Sequence, residues 1–178
     1  GEPSEGMICA SEEIDIAALY PPTADQGGRP IADLSELNAK PGTPLREALG
    51  MTDVIFHIDN HAITHRPDLF SHIGFARELV ALGLAKWKAE RRNDKKARAA
   101  FPKTPLPFKC KNEVPKLVPR YCSCLIRVDT LGETPQWMKR RLSAVGWRPV
   151  SLPVDITNYV ASETGMPLHS FDADDLSG

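Results

Sequence analysis

The chain has 178 residues, 42% hydrophobic and 25% charged, with a formal net charge of −1, which suits one medium soluble domain or two small ones. No apolar run approaches the roughly eighteen residues of a transmembrane helix, and no basic segment followed by an apolar one opens the chain, so neither a membrane span nor a signal peptide is expected. Four irregularly placed cysteines, Cys9, Cys110, Cys122 and Cys124, exclude a disulfide framework and point to reduced thiols in a cytoplasmic protein.

The small total charge conceals an asymmetry. Residues 1–53 carry ten acidic side chains against three basic ones, whereas residues 86–103 carry eight basic against two acidic. Such segments either oppose each other within one protein or direct the basic one toward an anionic partner. Gly1, in place of methionine, reads as an excision point.

In chain order, Ser11 followed by acidic residues predicts a capped helix through Leu19, and the Pro-Pro, Gly-Gly and scattered prolines of residues 21–44 predict loop. A short helix ending on Gly50 follows, then a β-branched and aromatic strand over residues 53–59. Leu69, Ile73, Ala76, Val80 and Leu84 form an apolar stripe, predicting a long helix over about 67–86 that Asp68 caps. The basic arm could extend that helix until Pro102. Five prolines make residues 101–119 a linker.

Beyond it, alternation predicts a strand over 120–129. A threonine cap at Thr134, Pro135 at the first position and Gly146 beyond the end punctuate a helix, on which Lys139 and Arg140 are expected to face away from the apolar side. Asp155 is expected to cap a further helix ended by Gly165 and Pro167, after which Leu168 to Ala173 alternate as a short extended run that sends His169 and Phe171 to one side. The expected fold class is α+β: a small, mainly helical N-terminal module (residues 1–100), the linker (101–119), and an incomplete layered α/β domain (120–178).

His169 is the first candidate for chemistry, because an imidazole can orient a carbonyl or a water, or exchange protons near neutral pH. Asp172, Asp174 and Asp175 could bind a cation or act as a base, against the simpler reading that they cap and solvate a turn. His57, His61, His65 and His72 resemble a metal array in spacing, but they straddle a strand end and a helix start, so a structural role is expected. The single-residue spacer of Cys122-x-Cys124 is not that of a zinc knuckle, and no metal site is expected. Arg66-Pro67-Asp68 sets the entry into the long helix, with Arg66 available to a carboxylate or a backbone carbonyl. Lys86, Lys88, Arg91, Arg92, Lys95 and Lys96, with Trp87 among them, have the composition of a nucleic-acid contact, although such a run also suits a solvated face.

Three ordered stretches carry a family resemblance: residues 5–13 (Glu-Gly-Met-Ile-Cys-Ala-Ser-Glu-Glu), residues 65–78 (His-Arg-Pro-Asp-Leu-Phe-Ser-His-Ile-Gly-Phe-Ala-Arg-Glu), and Val-Asp-Ile-Thr-Asn-Tyr-Val at 154–160 with Gly-Met-Pro-Leu-His-Ser-Phe-Asp-Ala-Asp at 165–174. Together they resemble the β subunit of phenylalanyl-tRNA synthetase. The resemblance implies a cytoplasmic ligase of two α and two β subunits that charges tRNA with phenylalanine using ATP and magnesium, with no cofactor in this part.

The resemblance also implies that the chain runs from just after an oligonucleotide-binding fold into the start of an editing domain, which hydrolyses tRNA mischarged with tyrosine. His169 then matches the editing-pocket histidine, in an orienting role. The family's remaining pocket glycine, glutamate and threonine fall in motifs outside this sequence. His65 stands where many members have asparagine, and Thr-Gly-Met-Pro replaces a segment where leucine and glutamine are common. A second hypothesis makes the chain a non-catalytic module of the same ancestry that binds tRNA or scaffolds subunits.

Overall fold

A computed structural model of the chain describes residues 6–21, 31–88 and 106–176. The chain divides into two compact units, one of residues 1–75 with 133–170 and one of residues 76–132 with 171–178. Four α-helices are present among the described residues: α1 (Leu45–Ala48), α2 (His72–Ala81), α3 (Gln136–Ala144) and α4 (Leu152–Thr164), with 3-10 turns at Ser35–Leu37, His61–Ile63 and Pro67–Phe70.

The first unit is organised around the packed pair α3 and α4. Met138 and Leu142 of α3 are buried, Leu142 at 1% exposure, and Trp137 meets Tyr159 of α4 edge to face with centroids 5.4 Å apart. Arg141 sits over the Trp137 ring at 5.5 Å and donates to the Tyr159 hydroxyl at 2.7 Å. At the end of α3, Gly146 takes φ 82°, and the Gly146 and Trp147 amides return to the Ser143 and Leu142 carbonyls, which closes the helix as the glycine predicts.

Asp155 is not a cap. The helix starts earlier, at Leu152, because Pro153 is tolerated in a first turn whose N–H groups have no intrahelical partner. Asp155 is therefore inside α4 and 1% exposed, where it accepts from the Thr134 hydroxyl at 2.5 Å and from the Val150 amide at 2.9 Å. The hydroxyl expected to cap α3 instead ties the residues before α3 to α4.

Arg140 also departs from expectation. It does not face away but donates to the carbonyl of the buried Leu49, next to Gly50, whose φ of 63° ends the α1 turn. Tyr20 lies close to the same group: burial, then the neighbouring Glu36 carboxylate, push its phenol above the ordinary value of 10.0.

The expected helix over 11–19 is a series of turns, because Asp15 adopts φ 57°, a left-handed conformation that aspartate tolerates and a helix does not. Its Ile16 and Leu19 are nevertheless buried.

The single helix expected over 67–86 is two elements. Pro67–Phe70 forms a 3-10 turn, Ser71 is extended, and α2 begins at His72. Ser71 Oγ donates to the Asp68 carbonyl at 2.7 Å and accepts from the Gly74 amide at 3.0 Å, so Ser71, not Asp68, caps α2. A methyl group on Gly74 would lie 1.7 Å from the Asp68 oxygen, which makes the close turn possible only with glycine. Gly83, at φ 74°, turns the chain beyond Ala81, so the helix does not continue into Lys86.

The strands of the expected α+β class are not seen: the described residues are helical, with only an isolated antiparallel bridge between Ala10 and Ile31. Residues 53–59 and 120–129 carry no ladder. A strand cannot satisfy its own N–H and C=O groups, and among the described residues neither stretch has a ladder partner; Phe56 is 81% exposed and Ile126 71% exposed.

Candidate functional site

The last turn of α4 and the residues after it frame a cavity of about 340 Å³. Asn158, Ala161, Ser162 and Gly165 recur at helical spacing and present one face of α4 to it, and Met166 to His169 carry the wall onward. Phe70, from the 3-10 turn, and Trp147, from the turn that closes α3, supply aromatic surface.

The α4 face ends at Gly165, which adopts φ 77° and donates its amide to the Ala161 carbonyl at 2.8 Å. The Phe70 turn is braced by the fork between Arg66 and Asp68, two parallel contacts of 2.9 Å. Arg66 thus meets a carboxylate, as the sequence suggests, and that carboxylate belongs to its own motif.

His169 stands on the cavity wall. Three segments that sequence reasoning does not join to it line the same space: Phe70, Trp147, and the α4 face with Asn158 and Ser162. For α4 the available signal is the four-residue spacing from Asn158 to Ser162 on the helix leading into Gly165. For Phe70 and Trp147 no local signal exists, because a long sequence separation divides them from His169.

One imidazole, one carboxamide and one hydroxyl on a largely apolar wall suit the orientation of a small ligand or a water. Ser162 and the neighbouring His72 do not make a nucleophile–base dyad. Ser162 Oγ lies 3.4 Å from His72 Nδ1, but that nitrogen is 3.0 Å from the Ser162 carbonyl, which can only accept. Nδ1 therefore carries the proton and cannot take one from the hydroxyl.

The other sequence candidates are not among the residues that line this cavity. Asp172 Oδ1 accepts from the Asp174 amide at 3.1 Å in an exposed turn. His61 is exposed and 3.9 Å from Asp59, and among the described residues no group of three His, Cys, Asp or Glu side chains converges as metal ligands would. Lys86 and Lys88 are exposed beyond Gly83 on either side of Trp87. Arg91, Arg92, Lys95 and Lys96 fall outside the described residues. No described helix is long and apolar enough to cross a membrane.

Residues 117–178 match the B3/4 domain family. Over its whole length the chain is similar to phenylalanine–tRNA ligase β subunits: 34% identical over 178 residues to that of Anaeromyxobacter dehalogenans, covering 100% of this chain and 20% of the relative. It is 37% identical over 176 residues to that of Staphylococcus epidermidis, covering 99% of this chain and 21% of the relative. The protein of Geobacter metallireducens is 37% identical over 183 residues, covering 100% and 20%. The chain thus spans about one fifth of the length of these relatives. No solved structure matches it. End-to-end similarity to these subunits, together with the B3/4 match at residues 117–178, makes the chain a homologue of the corresponding stretch of the phenylalanine–tRNA ligase β subunit.

Proposed function

We propose that the chain contributes one wall of a proofreading site, in which tRNA mischarged with tyrosine is hydrolysed, within a ligase that charges tRNA with phenylalanine. The observation that carries this reading is His169 on the wall of the cavity at the end of α4, inside the B3/4 match. An imidazole and a carboxamide on an apolar wall can hold an aminoacyl ester and a water in attack geometry, and positioning of that kind accounts for large rate factors without a protein nucleophile.

On this reading the chain works with a synthetase α subunit and tRNA, in a cytoplasmic assembly of two α and two β subunits. ATP and magnesium serve the charging reaction. The groups around His169 do not suit them, because the polar lining of Asn158, Ser162 and His169 supplies no carboxylate oxygens for a hard cation. The α+β class belongs to the same proposal: residues 53–59 and 120–129 become strands when the longer subunit supplies their neighbours.

The test is deacylation of tyrosyl-tRNA specific for phenylalanine by the assembly built with a full-length β subunit carrying this chain. His169→Ala is expected to lower hydrolysis at least about tenfold while phenylalanyl-tRNA synthesis stays unchanged. Equal hydrolysis by both proteins would remove His169 from the chemistry. Absence of hydrolysis even in the wild type would favour a tRNA-binding or scaffolding module, the reading that the exposed Lys86 and Lys88 around Trp87 support.

A further inference from the structure

The C-terminal turn of α4 carries Ser162 and Gly165, which line the cavity, and it leads directly into His169. The last four carbonyls of an α-helix have no partner within the helix, so the position of such a turn depends on what reaches them from outside. The Ala161 carbonyl is taken by the Gly165 amide at 2.8 Å. The Ser162 carbonyl is taken by an imidazole from a distant part of the sequence: His72, the first residue of α2, whose Nδ1 lies 3.0 Å from it.

The surrounding contacts make this a docked junction. A methyl group on Gly165 would lie 3.3 Å from the Pro67 carbonyl oxygen and from both Cβ and Oγ of Ser71, so the turn rests against residues 67–71. Ser71 is itself tied to Asp68 and Gly74, and Phe70 of the same segment lines the cavity. His72 therefore joins the segment that carries Phe70 to the C-terminal turn of α4. A donor at the C-terminal end of a helix also acts favourably on its dipole, which reinforces the seat.

We propose that His72 is a positioning residue for the His169 cavity: by donating from Nδ1 to the Ser162 carbonyl it sets where the α4 terminus, and with it residues 165–169, stands. The assignment to hydrolysis rests on the proofreading reading above, whereas the assignment to the cavity does not. The carboxamide nitrogen of asparagine can occupy nearly the place of Nδ1, so His72→Asn is the conservative variant and His72→Ala the deletion.

The measurement is hydrogen exchange of the amides of residues 163–169, together with the His169 ring proton shift, in the wild type and both variants of the chain. In parallel, deacylation of tyrosyl-tRNA is followed in the assembly. His72→Ala is expected to speed exchange in that segment about fivefold, to shift the His169 ring resonance, and to lower the deacylation kcat about fivefold with KM and charging unchanged. His72→Asn is expected to restore all three. Unchanged exchange and an unmoved His169 resonance in His72→Ala would overturn the proposal, as would a change that His72→Asn leaves unrepaired. Should the wild-type assembly not hydrolyse tyrosyl-tRNA, the proofreading reading fails, and the exchange and resonance data still decide whether His72 positions the cavity.

Discussion

Residues 136–164 and residues 120–129 both carry regular apolar patterns, yet the first stretch is a packed helix pair and the second has no ladder. The difference lies in what completes the backbone. A helix closes its N–H and C=O groups within its own turns, so α3 and α4 need only apolar surface to pack on, and Leu142 of α3 is buried. A strand needs a neighbour at every second residue. Residues 120–129 have none among the described residues, and Ile126 stays exposed. Periodicity specifies what a segment can become, and the partner decides whether it does.

The largest break in the helix pair is expected at Asp155. Replacing it with alanine strands the buried Thr134 hydroxyl and takes the acceptor from the part-buried Val150 amide, which together cost about 2 kcal/mol in urea unfolding. The substitution Asp155→Asn keeps one acceptor for Val150 and a donor toward the Thr134 oxygen, so its loss should be less than half as large. Equal losses in the two variants would mean that the negative charge, and not the pair of hydrogen bonds, holds the connection.

A smaller effect is expected at the edge of the same unit, where Tyr20 is held above 10.0, first by burial and then by Glu36. A folded-state value above the unfolded one means that the stability tied to the neutral phenol is complete below pH 10.0 and is lost as pH rises through the raised value. Unfolding curves recorded across that alkaline range should fall less steeply for Tyr20→Phe than for the wild type. Parallel slopes would show that this phenol does not contribute to the alkaline loss.

The smallest effect sharpens the contrast most. Ile126→Ala should change the stability of this chain by less than about 0.5 kcal/mol, because the side chain is already exposed. In a full-length subunit, where the proposed strand has neighbours, the same substitution should cost about 2 kcal/mol or more. Equal costs in both settings would argue against the strand.

Legibility follows the same division. Gly146 and Gly165 mark helix ends in the sequence because each end needs a left-handed residue, and both ends are where the glycines place them. Asp155 and Thr134 are misread as caps because a capping side chain and a buried hydrogen-bonding one have the same chemistry, and only the fold distinguishes them. The break at Ser71 is hidden by an apolar stripe that runs through it, although Gly74 inside the stripe hints at close backbone contact.

At the site, His169 is legible from its own motif, and Asn158 and Ser162 could be recovered from helical spacing. Phe70, Trp147 and His72 are not legible, because convergence of distant segments leaves no trace in a local pattern.

Hydrogen exchange of the chain alone and within a full-length β subunit separates a helical frame that forms by itself and carries the site from strand-like segments that await partners. Slow exchange is expected over residues 136–164 in both settings, and over residues 120–129 only in the full-length subunit. Protection of residues 120–129 in the isolated chain, or its absence in the full-length subunit, would contradict that division.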